Sequence, residues 1–316
     1  SFFVFLLAEF FMSAAYCLFS GSDSALLYES LVESGKEHEY LQEEGLLLSS
    51  GYVSEGIAAI LGGFLAYVDL HLPFWINFYV CLLLIPLTYT LVGSKKFAAL
   101  PPVMEVQGIK RLRSDFFSIL SFIKSEPIVR WVSIFSGFIG FLALASAWLM
   151  QSYFKLTGFE LYYIGFIWAL LNFSRSISAS FAGQLNSLFG TKQLFVLLPI
   201  ILSFSFILMG MYVSLFALVF GFLIQAARGV QLPLVFSIIN NRTSSEIRAA
   251  VLSFEGMMMR VFFVVLGPLL GVLCDLESIH VAFYAMGILS LLGGFVINNK
   301  IKTNFEANND IATYQH

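Results

Sequence analysis

Six charged side chains stand inside stretches that are otherwise apolar: Glu9, Glu55, Arg175, Arg228, Glu255 and Arg260. A charge in hydrocarbon is costly unless it faces a partner, water or a cavity, so each marks a place where chemistry is expected. A carboxyl group withdrawn from water resists ionisation and can then exchange a proton near neutral pH. Glu9 and Glu255 are the proton-coupling candidates on that ground. A guanidinium presents its N–H donors in a planar fork that matches a carboxylate. Arg175 shares a helical face with Asn172 and Ser178, a face suited to a carboxylate partner or an anionic substrate. A structural ion pair with Glu9 or Glu55 accounts for Arg175 equally well. Arg228, Arg260, Glu55, Gln151 and Gln225 complete the substrate-cavity or gating candidates, with hydrogen bonding between helices as the plainer role for the glutamines. Glu55 lies nearer a span end, where it can also reach water. Met257, Met258 and Met259 offer an adaptable lining for greasy compounds, although packing and lipid contact explain most apolar side chains here.

Other chemistries find little support. The chain has no His-Glu-x-x-His or Gly-x-Ser-x-Gly motif and no phosphate-binding Gly-x-x-x-x-Gly-Lys-Ser/Thr loop. Its histidines (His38, His71, His280, His316) lie in or beside connections and do not cluster. Cys17, Cys81 and Cys274 are far apart in apolar runs, which suits small buried hydrophobes better than a disulfide or a metal site. Net charge is −3, so nothing favours nucleic acid. The expectation is therefore no enzyme, no cofactor and no metal.

The elements that position the charges follow from composition. Hydrophobic residues make up 59% of 316 and charged residues 12%, and mean hydropathy is +0.85. Water-soluble domains carry about twice that share of charge, so lipid must face most of this surface. A span needs ~20 predominantly apolar residues. Nine stretches qualify: 2–22, 46–68, 74–92, 131–153, 162–181, 194–213, 215–236, 250–274 and 280–297. Connections as short as Ser214 make antiparallel hairpins, and hence an all-α polytopic bundle. Thirteen Lys and Arg fall in one alternating set of connections, from Lys36 and the 95–130 loop through Lys192, Arg242 and Arg248 to Lys302. Only Lys155 falls in the other set. That asymmetry predicts a cytoplasmic C-terminus and an outward-facing first residue.

Within the 94–130 connection, Ile109 to Lys124 mixes bulky apolar and basic residues. It reads either as an amphipathic helix in the headgroup layer or as an extension of the next span. The polar tail after Lys302 is expected to be disordered.

Three short patterns carry a resemblance. Between the fifth and sixth spans stands Gly183-Gln-Leu-Asn-Ser-Leu-Phe-Gly190-Thr-Lys192. The eighth span holds Gly267-Pro268-Leu-Leu-Gly271, and the second holds Ala58-Ala-Ile-Leu-Gly62-Gly63 at the equivalent place. The first span runs Ala8-Glu9-Phe-Phe-Met-Ser13 and exits through Ser20-Gly-Ser-Asp-Ser-Ala-Leu-Leu-Tyr28. Together they resemble the major facilitator superfamily of transporters, in particular a bacterial permease and efflux-like subgroup. Gly183, Gly190 and Lys192 match its loop signature, with Ser187 and Leu188 where an acid and a base are usual. Gly267, Pro268 and Gly271 match its antiporter element, and Gly62 and Gly63 its counterpart, where Ala58 and Ala59 depart from Gly-Pro. Glu9 stands where that subgroup has arginine. Helix packing explains the glycine-rich elements as well as any transport role does.

The resemblance implies a twelve-helix architecture of which the first three helices are absent from this chain. Residues 1–93 would be family helices four to six, 94–130 the cytoplasmic central loop, 131–299 helices seven to twelve, and 300–316 a cytoplasmic tail. It implies a monomeric, multi-pass protein of the cell's cytoplasmic membrane with the bilayer, protons and a small-molecule substrate as partners. The implied function is alternating-access secondary transport, with proton-coupled efflux of a small, even hydrophobic, molecule as the leading direction. Uptake of a small metabolite, or a truncated non-transporting membrane protein, is the alternative.

Overall fold

The computed structural model describes residues 2–19, 21–88, 108–156, 161–212 and 214–313. Helix makes up 93% of it and no strand occurs among the described residues, as hydrocarbon requires of a chain whose backbone bonds must close internally. Lys95, Lys96 and the first part of the central connection lie outside the described residues, as does the expected end of the third span at 89–92.

Twelve α-helices follow in order among the described residues. The first four are α1 (Phe2–Phe19), α2 (Ser22–Glu33), α3 (Tyr40–Val68) and α4 (Leu72–Thr88). Next come α5 (Gly108–Ser125), α6 (Pro127–Leu156), α7 (Leu161–Ser180) and the short α8 (Ala182–Phe189). The last are α9 (Thr191–Met211), α10 (Leu218–Arg242), α11 (Arg248–Leu276) and α12 (Ile279–Thr313). A helix occupies each of the nine expected stretches. Six helical segments, those containing α3, α6, α9, α10, α11 and α12, are long and apolar enough to cross a membrane. The apolar parts of α1 and α4 are shorter, at Phe2–Ala15 and Leu72–Thr88.

The chain turns where glycine permits it. Gly21, Gly35 and Gly190 adopt positive φ, and Gly21 separates α1 from α2 at the exit of the first stretch. The segment read as a loop signature is mostly helix: α8 fills 182–189 and Gly190, at φ 76°, ends it. Gly183 lies in the first turn of that helix instead of turning the chain, and Lys192 is exposed in the first turn of α9.

The basic and apolar stretch of the central connection forms α5, set off from the next span by Glu126 alone. It is a separate helix, ended before Pro127, with Phe116 and Phe117 exposed and Ile123 buried against the bundle. The tail differs from expectation, since α12 continues to Thr313. Arg242 lies over the Phe305 ring at 5.7 Å, which ties that extension to the end of α10.

α6 is the hub of the core. Val129, Val132, Phe135, Ile139 and Leu142 are buried along it, and Phe135 meets Phe195 of α9 edge-on at 4.6 Å between centroids. α9 packs on α12, α10 on α7, and α11 and α12 on α6, which makes one bundle of the last six long helices. α3 lies against this bundle through an extensive crossing with α7. The α3–α7 approach uses Gly45, Gly56 and Gly63: a Cβ on Gly45 or Gly56 would strike Ala179 or Phe173, and Gly63 faces Gly165. The neighbouring row Ala58, Gly62, Ala66 does not make the crossing, since Gly62 has nothing within 4 Å of an added Cβ. α1 and α4 pack little, and every described residue of α4 is at least partly exposed.

Candidate functional site

A cavity of about 360 Å³ opens among α3, α6, α7, α10 and α11. Its residues come from the middle parts of long helices, where an apolar wall is expected, yet the lining is mixed. α7 contributes Arg175 and Asn172, one helical turn apart on the face read from the sequence. α10 contributes Gln225 and Arg228, and α3 contributes Glu55. Gly140, Ala143, Leu144 and Ala147 of α6 form a smooth wall, with Trp168 and Leu171 of α7 and Met259 of α11 closing the rest. The volume falls in the range of small-molecule sites, and so does the pattern of few polar groups on an apolar wall.

The two arginines are held differently. The Arg175 guanidinium lies 3.9 Å over the ring of Tyr52 on α3, a cation–π contact across the α3–α7 crossing. Its Nε is buried without a hydrogen-bond partner. The ion pair with Glu9 or Glu55 is not formed: no described carboxylate lies within 4.0 Å of Arg175 or Arg228. Arg228 is only 8% exposed. Its Nη1 donates to Gln231 Oε1, one turn along α10, while Nη2 meets the Met259 sulfur at 3.9 Å. Gly140 makes room for this guanidinium, since an added Cβ would come within 3.0 Å of it.

From Arg228 a polar chain runs into the bundle. Gln231 Nε2 donates to Ser136 Oγ at 2.5 Å, and Ser136 donates to the Glu255 carboxylate. Glu255 is 4% exposed, so α10, α6 and α11 share a buried relay ending on a carboxyl group. Buried polar groups at such depth are tolerated only when linked in this way.

The remaining expected residues are dispersed. Glu9 is exposed on α1 and Gln151 is exposed on α6, and neither lines the cavity. Arg260 is exposed and donates to the Gly256 carbonyl of its own helix at 3.0 Å. An added Cβ on Gly271 would meet nothing within 4 Å, and one on Gly267 only Phe263 of the same helix. Pro268 sits within α11 without ending it. The two glycines of the Gly-Pro-x-x-Gly element therefore mark no close helix crossing, and the element packs instead through Leu270, which is buried in the core.

A second polar cluster joins the helix ends at the side of Lys36, Arg242 and Arg248. Glu29 of α2 pairs with Arg248 of α11, both side chains almost fully buried, and Arg248 lies 4.2 Å over the Tyr28 ring. Arg248 also donates to the Thr243 carbonyl at 2.8 Å. Beside it, the Glu44 carboxylate of α3 accepts from Ser24 and Tyr40, each at 2.7 Å, and Tyr40 accepts from Asn240 of α10 at 2.7 Å. Tyr28 donates to Asn241 at 3.1 Å. Apart from the i, i+4 spacing of Tyr40 and Glu44, nothing in the sequence singles out Tyr40, Glu44 or Asn240, and Glu29, at the exit of a span, is of a type and place expected to face water.

No model of a known protein family matches the chain, and no curated protein is detectably related to it.

Proposed function

We propose that this chain is the greater part of a secondary active transporter of the major facilitator type, working by alternating access around the central cavity. The observation that carries the reading is the cavity itself: Arg175, Arg228, Asn172 and Gln225 converge mid-helix within the bundle of the last six long helices, and Glu55 of α3 joins them at the side where α3 packs. Mid-bundle polar sites between two helical bodies are where alternating-access carriers hold cargo. In this reading α1, α3 and α4 are family helices four to six, α6 is the seventh, and α7 and α9 to α12 are the eighth to twelfth. The nine spans then sit in the cytoplasmic membrane, with the basic ends cytoplasmic. Glu255 is the proton site, because the Ser136–Gln231 relay connects it to the cavity arginine. Glu9, exposed and away from the cavity, is the weaker candidate. The polar lining favours a small cargo with a polar or charged group over a purely hydrophobic one, in either direction of transport.

The test is gradient-driven accumulation. Proteoliposomes carrying the full protein and a transmembrane pH gradient are given a pool of carboxylate, amine and neutral metabolites, and their contents are measured. At least one component accumulates, and a protonophore or Glu255→Gln abolishes its accumulation. Accumulation of no component, or undiminished accumulation by Glu255→Gln, would contradict proton-coupled transport through this residue.

A further inference from the structure

The transporter reading leaves the cargo open, but the cavity's own groups narrow it. Arg175 and Arg228 line one cavity, and like charges in a poorly solvated space repel each other. Neither is matched by a described carboxylate within 4.0 Å. Arg175 has a buried Nε with no acceptor, and its Tyr52 contact occupies the ring-facing side of the guanidinium, leaving its edge free. The nearest acceptor recorded for Nη2 of Arg228 is a thioether sulfur at 3.9 Å, a weak one. Leaving guanidinium donors unmet in a buried place is costly, and a bound oxyanion would satisfy both groups with charge-assisted hydrogen bonds.

The balance of charge limits the anion. Glu55 also lines the cavity, exposed to it, so the lining carries two cations and one carboxylate. Glu255 stands outside the lining, behind Ser136 and Gln231, and is within ion-pair distance of neither arginine. With Glu255 protonated, as the proton-site reading has it in one half of the cycle, one surplus positive charge suits a monoanion better than a phosphate dianion. Leu144, Ala147, Trp168 and Leu171 supply an apolar wall for the rest of the molecule.

We propose that the cavity binds a small organic monoanion, its carboxylate held between Arg175 and Arg228 and its apolar body against Trp168 and the α6 wall. This deepens the transporter reading and rests on it only for what the site is used for.

The experiment compares 3-phenylpropanoate, its amide, 3-phenylpropan-1-amine and inorganic phosphate as stabilisers of the full protein, followed by thermal unfolding in nanodiscs. The carboxylate alone raises the midpoint saturably. Arg175→Gln weakens this on the order of tenfold or more, as loss of a charge-assisted pair does. Arg175→Lys recovers part of the effect. If Arg228→Gln fails to fold, the ligand series on the unmodified protein and Arg175→Gln still decide. Equal or greater stabilisation by the amine, amide or phosphate overturns the proposal. So does an absent carboxylate effect, or an undiminished one in Arg175→Gln. Carboxylate binding without gradient-driven uptake would sink the transport reading alone. Accumulation of amines but not carboxylates would sink the anion assignment alone.

Discussion

At the scale of residues, the informative groups are the buried ones whose partners are on other helices. Ser136 both donates to Glu255 and accepts from Gln231, so Ser136→Ala strands two polar groups at once. Each stranded buried group costs about 1–3 kcal/mol, and thermal unfolding of the detergent-solubilised variant should show a clear loss of stability. Gly140→Ala is the opposite kind of change. The atoms nearest its methyl group are those of the Arg228 guanidinium, at 3.0–3.1 Å, so the change displaces the end of one side chain and leaves the helix backbones where they are. The expected result is a near-native unfolding midpoint with cavity-ligand affinity reduced on the order of tenfold; unchanged affinity would remove Arg228 from the site. The sequence already pointed to Arg175, Asn172, Arg228, Gln225 and Glu55, because charges and amides in apolar runs are conspicuous. It could not supply Tyr52, Ser136 or Trp168. A tyrosine, serine or tryptophan in an apolar helix is ordinary until the opposing helix is known.

Among elements, the crossing of α3 with α7 fixes where Tyr52 and Glu55 stand relative to Arg175. That crossing is close because Gly45, Gly56, Gly63 and Gly165 carry no side chain at the contact. Gly165→Leu would drive a side chain against the Ala59 carbonyl of α3 and separate the helices. Overpacking of this kind costs about 1–3 kcal/mol, whereas Gly62→Leu, with open space around it, should be close to neutral. Comparing the two unfolding midpoints checks the register directly. Helix positions were legible in the sequence because apolar length in a membrane chain is a strong signal. Which glycine row makes a crossing was not, since Ala58, Gly62, Ala66 and the row actually used are equally small and differ only in rotation. The tail misled for a related reason: its polarity argued for disorder, but it continues an established helix and gains Arg242 against Phe305.

For the whole molecule, the cluster around Glu29 and Arg248 ties α2 and α3 to α10 and α11 at one end of the bundle. In the proposed cycle this is the contact that must open when the cavity turns to that side. Glu29→Gln leaves Arg248 buried without its counter-charge, and loss of one partner of such a pair costs about 3–5 kcal/mol. In an alternating-access protein that cost falls on one conformation. The variant should therefore raise exposure of the cavity from the Arg248 end without unfolding the bundle, read by thiol labelling of a cysteine at Gln225. The most direct test of the account is two-sided access to the cavity itself. In a full-length variant whose only cysteine replaces Asn172, a membrane-impermeant thiol reagent is applied to oriented membranes from each face in turn. The account predicts labelling from either face, with Glu29→Gln shifting the balance toward the Arg248 side. Labelling confined to one face, in both the parent and the Glu29→Gln variant, would contradict alternating access.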